Sequence, residues 1–121
     1  DISSSGIIEF GDGKYAQFSF SFEHARRAEY EIIGTKGGLK CHNVWAKQAE
    51  APIISWWTDS GEQHTETLDC ANHFQLEVEH FSDCILKQHP QKLSLQDAKD
   101  NCIIITAALQ SAEQGKTIQL K

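Results

Sequence analysis

Apolar residues alternate with polar ones in the first half of the chain and follow a helical spacing in the second half. From Tyr15 to Glu23 (YAQFSFSFE), every second residue is apolar. This period of two predicts a strand with one apolar and one polar face, as in a half-covered antiparallel sheet. A strand over Gly6–Phe10 precedes it. The intervening Asp12-Gly13 pair favours a tight hairpin, because both turn positions need a positive φ.

Further extended segments follow the hairpin. The sequences AEYEIIG (28–34), GLKCHNVW (38–45) and APIISWWTD (51–59) predict three strands, and Thr65–Cys70 is a short additional candidate. In the third of these segments Trp56 and Trp57 are neighbours, so their rings point to opposite faces if it is a strand. We expect one ring in the core and the other in an interface or a ligand groove.

The second half predicts two helices. The first has an apolar stripe formed by Phe74, Val78, Phe81 and Ile85, and the second has a buried stripe formed by Ala98, Cys102, Ile105, Leu109 and Ala112. Asn72 with Gln75 starts the first helix and Pro90 ends it. Ser94 caps the second helix, which has Asp97 in its first turn, and Gly115 closes it.

The order of these elements predicts an α+β fold. A last short strand is predicted at Thr117–Leu120. We expect one mostly antiparallel open sheet with the two C-terminal helices packed on one face, in a single domain over residues 1–121.

Composition excludes several classes of function. The chain has 121 residues, 40% of them apolar, and a net charge of −6, which opposes nucleic-acid binding. Its longest apolar runs are too short to span a bilayer. The wide spacing of the four cysteines favours free thiols and a cytoplasmic location. The chain contains no methionine, so we expect a domain excised from a larger protein.

The segment Glu31–Lys40 (EIIGTKGGLK) has the glycine content of a phosphate-binding loop. A Walker loop needs Lys and then Ser or Thr after the last glycine, followed by a helix, whereas Lys36 precedes the paired glycines. The G-x-x-G loop of RNA-binding KH modules joins two helices, and the residues on both sides of this loop favour strands. We interpret the segment as a strand–turn–strand connection in which Gly34, Gly37 and Gly38 supply positive φ and Lys36 faces solvent. Ile32 or Ile33 is expected to pack under the helices.

Metal binding and nucleophilic catalysis have weak support. Potential ligands are Cys41, His42, His64, Cys70 and His73, and a helix face carries His73, Glu77, His80 and Cys84. Structural zinc sites show closely paired ligands such as C-x2-C, and this chain has none. Cys84 and Cys102 are expected on the buried helix stripes, where a thiol is inert. We therefore predict neither a metal site nor a catalytic residue.

The arrangement of motifs resembles a known family. The segments EFGDGKYAQFSFSFE (9–23), EYEIIGTKGGLK (29–40), FQLEVEHFSDCI (74–85) and LSLQDA…ALQSAEQGKTIQL (93–120) occur in this order. Together they are similar to the C-terminal half of the Gfo/Idh/MocA oxidoreductases, the relatives of glucose–fructose oxidoreductase and inositol dehydrogenase. The resemblance covers essentially the whole chain.

The resemblance implies a two-domain enzyme that transfers hydride between a sugar or polyol hydroxyl and a nicotinamide. An N-terminal Rossmann domain, absent from this chain, would bind NAD or NADP. The C-terminal domain would complete the substrate pocket and form a homo-oligomer interface through its open sheet face. The polar face of the Phe-rich strand, with Tyr15, Gln17, Ser19 and Ser21, fits such an interface.

The family's cofactor loop and catalytic motifs lie upstream of this chain, so none of those residues is carried over. This chain by itself is therefore expected to be inactive and to bind no NAD. Arg26 and Arg27 are the candidate substrate contacts, and a solvated basic loop is the other interpretation of this pair. The alternative function is a stand-alone, non-enzymatic α+β module that binds a small ligand or a protein.

Overall fold

The computed structural model describes residues 2–44 and 50–120, which form strands and helices in the predicted order. The elements are β1 (Ser3–Gly11), β2 (Lys14–Ser21), β3 (Tyr30–Gly34), β4 (Gly37–His42), β5 (Ile53–Thr58), β6 (Gln63–Thr67), α1 (His73–Lys87) and α2 (Leu95–Gln114). All pairings among these strands are antiparallel. The fold is α+β, as predicted. Where we expected one sheet, the described strands form two, β1-β2 and β3-β4-β5-β6.

The chain divides into two compact units, one of Asp1–His24 with Cys84–Lys121 and one of Ala25–Asp83. The first unit contains the β1-β2 hairpin and α2, and the second contains the four-stranded sheet. The single-domain assignment and the packing of both helices on one sheet face stay predictions. Trp45, the last residue of a predicted extended segment, lies outside the described residues.

The hairpin has the predicted turn. Asp12 and Gly13 have φ of 51° and 71°, which confirms the positive φ expected at both positions. Farther along the ladder, Gly6 pairs with Phe18. A Cβ on Gly6 would lie 2.7 Å from the Phe18 ring, so glycine makes room for the aromatic side chain.

The glycine-rich segment connects β3 to β4, as predicted. Gly34 pairs with Gly37, and Thr35 and Lys36 form the exposed turn between them. The expectation of positive φ at all three glycines is wrong, because only Gly37 among them has it, at 147°. Gly38 serves another purpose, since the Trp57 ring of β5 occupies the space that a side chain would need.

The register of the four-stranded sheet separates two faces. One, called the apolar face, carries Tyr30, Ile32, Leu39, Cys41, Ile54, Trp56, His64 and Glu66. The other, called the polar face, carries Glu31, Ile33, Lys40, His42, Ile53, Ser55, Trp57, Gln63, Thr65 and Thr67. Trp56 and Trp57 thus lie on opposite faces, as predicted, and both are half-buried.

The helix boundaries follow their caps. Ser94 Oγ accepts a hydrogen bond from the Asp97 amide at 3.1 Å, and Gly115 ends α2 with a left-handed φ of 62°. Asn72 Oδ1 accepts from the Gln75 amide at 3.2 Å at the start of α1. Helix α1 ends at Lys87, and Gln88 adopts a φ of 53° just before Pro90.

Several expectations about burial are wrong. Phe74, Phe81, Ile105 and Leu109 on the predicted helix stripes are all more than half exposed, and Cys102 is exposed, so burial does not make its thiol inert. Ile32 and Ile33 are 60% and 72% exposed. The physical reason is that periodicity determines which side chains share a face, whereas burial needs another surface against that face.

The structure differs from the prediction at the C-terminal end of the described residues. Residues 117–120 form no strand, so the last predicted strand is wrong. That segment directly follows the Gly115 cap and has no partner strand within the described ladders.

Among the residues that the structure describes, no helix combines the length and apolarity needed to cross a bilayer.

Candidate functional site

Two backbone segments meet beside the end of the four-stranded sheet. The Val44 amide donates a hydrogen bond to the Ala28 carbonyl at 2.7 Å. This bond places the segment before β3, which carries Arg26 and Arg27, next to the residues that follow β4. Both predicted substrate-contact residues therefore lie beside His42 and a part of the sheet that is distant from them in sequence.

A cavity of about 340 Å³ lies at this junction. The described residues that line it are Arg26, Arg27, Ala28, Glu29, His42, Asn43 and Glu50. Its volume falls within the range typical of small-molecule sites. All of these described lining residues belong to the unit Ala25–Asp83.

The charges around the cavity are close to balanced. Arg26 Nη1 lies 3.9 Å from Glu50 Oε2, and Arg27 Nε lies 3.9 Å from Glu29 Oε1. Lys40 Nζ makes a shorter contact of 3.1 Å with Glu29 Oε2. The arginine contacts are long and at least half of each arginine side chain is exposed, so these pairs add little to stability. Guanidinium and carboxylate groups held in this way present donors and acceptors to a ligand.

His42 is held by hydroxyl groups on the polar face. Its Nε2 lies 3.0 Å from Ser55 Oγ on β5, and Thr65 Oγ1 on β6 donates to the same Ser55 oxygen at 3.4 Å. These three side chains come from three adjacent strands. The sheet register therefore determines where the imidazole stands at the cavity wall.

The sequence identified only part of this lining. Arg26 and Arg27 are brought together at the cavity, and their contact with a substrate stays a prediction. Glu29, Asn43 and Glu50 had no signal in the sequence, because the fold alone brings them together. For His42, the sequence suggests only a possible metal ligand.

The structure also locates the other candidate chemistry. Within residues 2–44 and 50–120, no group of three or more His, Cys, Asp or Glu side chains is arranged to hold a metal ion. All four cysteines are thiols and form no disulfide. Near the end of α1, the Sγ atom of Cys84 lies 3.5 Å from Nδ1 of His89. This contact brings a thiol next to an imidazole.

The glycine-rich segment does not fit a dinucleotide. Nicotinamide cofactors are bound where a strand turns through glycines into a helix N-terminus. Here the glycines connect β3 to β4, two antiparallel strands of one sheet. We therefore assign no step of nicotinamide chemistry to these residues.

One titratable group on the apolar face is perturbed. The negative charge of the Cys41 thiolate, the side-chain hydrogen bond with Cys41 and a smaller desolvation effect all raise the pKa of Tyr30. The two residues are cross-strand partners of β3 and β4, and Cys41 is only 9% exposed. The raised pKa keeps the phenol of Tyr30 neutral to a higher pH than is usual for tyrosine.

Comparison with known proteins identifies the family. The profile described as "Oxidoreductase family, C-terminal alpha/beta domain", which represents Gfo/Idh/MocA proteins, matches residues 4–120. The chain belongs to this family. The resemblance seen in the sequence motifs is thereby confirmed, and the α+β fold of the Gfo/Idh/MocA C-terminal domain agrees with the observed elements.

A curated relative shares this region. D-xylose 1-dehydrogenase (NADP(+)) 2 of Haloferax volcanii is 24% identical to the chain over 120 residues, which cover 99% of this chain and 37% of that protein. The Gfo/Idh/MocA chain described here thus spans little more than a third of the length of that relative. No solved structure matches it.

Proposed function

We propose that this chain is the substrate-binding and oligomerisation domain of an NAD(P)-dependent oxidoreductase that acts on a sugar or polyol. The observation that carries the proposal is the family match over residues 4–120. The cavity beside Arg26 and Arg27 supports it, because it offers a concave site with convergent polar groups. We further propose that the enzyme is cytoplasmic.

The chemistry of the cavity favours a neutral, polyhydroxylated ligand. Each sugar hydroxyl both donates and accepts a hydrogen bond, and the lining supplies both partners. Arg26 and Arg27 donate, Glu29 and Glu50 accept, and Asn43 can do both. A phosphorylated ligand would have to compete with these carboxylates for the arginines. D-xylose is the first candidate, because the Haloferax relative is named for it.

The cofactor in this proposal binds elsewhere in the full-length protein. NADP or NAD is held by an N-terminal Rossmann domain, and this chain contributes contacts to the substrate only. The antiparallel connection between β3 and β4 supports this division, since it lacks the helix that receives the pyrophosphate. The chain alone is therefore inactive and binds no nicotinamide nucleotide.

The oligomer interface is proposed on the polar face of the hairpin, with Tyr15, Gln17, Ser19 and Ser21. Tyr15 is 67% exposed in the chain, and aromatic residues such as tyrosine are enriched in protein interfaces. Ser3 Oγ donates to Ser21 Oγ at 2.6 Å, which holds the hydroxyls of this face in place. Light scattering of the full-length protein tests for a homo-oligomer, and a concentration-independent monomer would contradict it.

The decisive experiment is an activity assay of the full-length protein with D-xylose and NADP+. We expect formation of the reduced nicotinamide, detected by its absorbance. The rate should differ between the two cofactors, NADP+ and NAD+. A panel of pentoses, hexoses and inositols extends the test beyond D-xylose. Sugar binding without turnover of any panel member would favour the stand-alone binding module, and neither binding nor turnover would contradict the substrate class.

A further inference from the structure

His42 lies at the cavity wall with one of its ring nitrogens already engaged. His42 is a lining residue of the cavity, and the Nε2 of its imidazole is 3.0 Å from Ser55 Oγ. Nδ1 is therefore the ring nitrogen that a bound ligand can use. A neutral imidazole has one N–H donor and one acceptor nitrogen, and the hydrogen bond at one nitrogen sets the role of the other.

The direction of the hydroxyl chain favours one role for each nitrogen. Thr65 Oγ1 donates its proton to Ser55 Oγ at 3.4 Å, a long hydrogen bond that uses the serine as acceptor. The single proton of Ser55 is then available to His42 Nε2 at 3.0 Å. With Nε2 accepting, the proton of the neutral imidazole is on Nδ1.

We propose that Thr65 and Ser55 hold His42 as the Nδ1–H tautomer, and that this N–H donates a hydrogen bond to a hydroxyl oxygen of the ligand in the cavity. This inference rests on the proposed sugar-binding function. His42 is then a specificity-determining residue, and Ser55 and Thr65 are positioning residues. The cavity recognises a ligand oxygen near His42, with the arginines and carboxylates contacting the other hydroxyls.

The same arrangement argues against two other roles of His42. A general base must present an acceptor nitrogen to the reacting proton, and here the acceptor Nε2 faces Ser55. A metal ligand needs further donors nearby, and the described residues form no such group. In this geometry the Nδ1–H group can donate a hydrogen bond to a neutral oxygen of the ligand.

The tautomer is measured by nitrogen NMR of histidine-labelled full-length protein, assigned with the variant His42→Gln. We expect Nδ1 to carry the proton in the wild type. Ser55→Ala frees Nε2, so we expect both tautomers to be populated in that variant. A wild-type imidazole protonated on Nε2, or a tautomer that Ser55→Ala does not change, would overturn the positioning role.

Ligand binding tests the donor role, with D-xylose as the probe. We expect D-xylose to shift the Nδ1–H resonance of His42. Ser55→Ala lowers the population of the Nδ1–H tautomer without removing it, so we expect binding of D-xylose to weaken in proportion, by roughly 2- to 5-fold. Thr65→Val should have a smaller effect in the same direction, because its hydrogen bond is longer.

Thr67→Val is the matched control, since Thr67 lies on the same strand and face as Thr65 but outside the hydroxyl chain. It should leave both the tautomer and the affinity unchanged. If D-xylose shifts the side-chain amide of Asn43 but leaves His42 unaffected, the donor role is wrong while the proposed function stands. If no sugar of the panel shifts any cavity residue, the proposed function fails, and the tautomer measurement still decides the positioning role.

Discussion

The indole ring of Trp57 lies against Gly38, its cross-strand partner on β4. A Cβ on Gly38 would be 2.7 Å from the ring atom Cε2, closer than real contacts allow. Glycine at this position therefore creates the space in which the ring packs on the sheet. The sequence predicts a turn glycine at this position, whereas the function of Gly38 concerns side-chain packing.

Replacement of Gly38 tests this relationship. Gly38→Ala forces the Trp57 ring to move, and we expect a loss of about 1–3 kcal/mol in the free energy of unfolding. Thermal unfolding followed by tryptophan fluorescence measures the change. Gly34→Ala is the control, because the nearest atom to its Cβ would be the Gly37 carbonyl oxygen at 3.8 Å. Equal destabilisation by both substitutions would contradict the packing role of Gly38.

The titration of Tyr30 tests its contact with Cys41. The chain has two tyrosines, so a Tyr15→Phe background isolates Tyr30 in an ultraviolet absorbance titration. We expect the pKa of Tyr30 to lie above its ordinary value, chiefly because of the Cys41 thiolate charge. Cys41→Ser removes that charge and should lower the pKa, and Cys41→Ala, which also removes the hydrogen bond, should lower it further. An unchanged titration in both variants would show that Cys41 has no influence.

The same shift predicts how stability depends on pH. Because the pKa of Tyr30 is higher in the folded than in the unfolded protein, the folded state favours the neutral phenol. The contribution of Tyr30 to the free energy of unfolding is complete below about pH 10 and is lost as the pH rises through the folded-state pKa. Denaturant unfolding above and below this pH measures the free energy of unfolding. We expect this free energy to fall less at high pH in Cys41→Ala than in the parent protein.

The two arginines at the cavity should affect substrate binding more than folding. We expect Arg26→Ala and Arg27→Ala in the full-length protein each to raise KM for the sugar roughly 10-fold, because each removes a charged donor from the lining. Steady-state kinetics measure KM, and thermal unfolding should be nearly unchanged, since both side chains are at least half exposed.

Lys36→Ala is the matched control for these arginines. Lys36 is an exposed cation in the turn between β3 and β4, at the opposite end of these strands from the cavity. Its loss should leave KM unchanged. An unchanged KM in both arginine variants would favour the solvated basic loop that the sequence also allowed.

The cap of α2 gives a prediction about stability alone. Ser94→Ala removes the acceptor for the Asp97 amide, and we expect a loss of about 1 kcal/mol in the free energy of unfolding. Ser94→Asn retains a side-chain acceptor and should restore most of this stability. Chemical denaturation of the three proteins measures the difference, and an unchanged stability of Ser94→Ala would mean that the cap hydrogen bond contributes nothing.

Local chemistry made much of the secondary structure predictable. The Asp12-Gly13 turn, the Ser94 cap and the Gly115 terminus depend on neighbouring residues only, and each occurs where the sequence placed it. The predicted strand at Thr117–Leu120 failed because a strand needs a partner. Local propensity carries no information about whether a partner is present.

The candidate site was less predictable. Arg26 and Arg27 stood out because the chain has no other arginine pair. Glu50 and His42 reach the same cavity only after β4 and the segment before β3 are joined by the Val44–Ala28 hydrogen bond. Such a junction depends on register and loop path, which short-range patterns do not encode.

By itself the sequence determined the class of fold, the order of the elements, the caps and the family, because these depend on periodicity, local hydrogen bonding and motif order. The tertiary structure alone decided that Gly38 accommodates Trp57, that Ser55 holds His42, and that the arginines share a cavity with Glu29 and Glu50. It also decided that the apolar helix stripes are exposed in this chain. The physical reason is that strand register and the surfaces that meet across the chain create these contacts, and neither is a property of neighbouring residues.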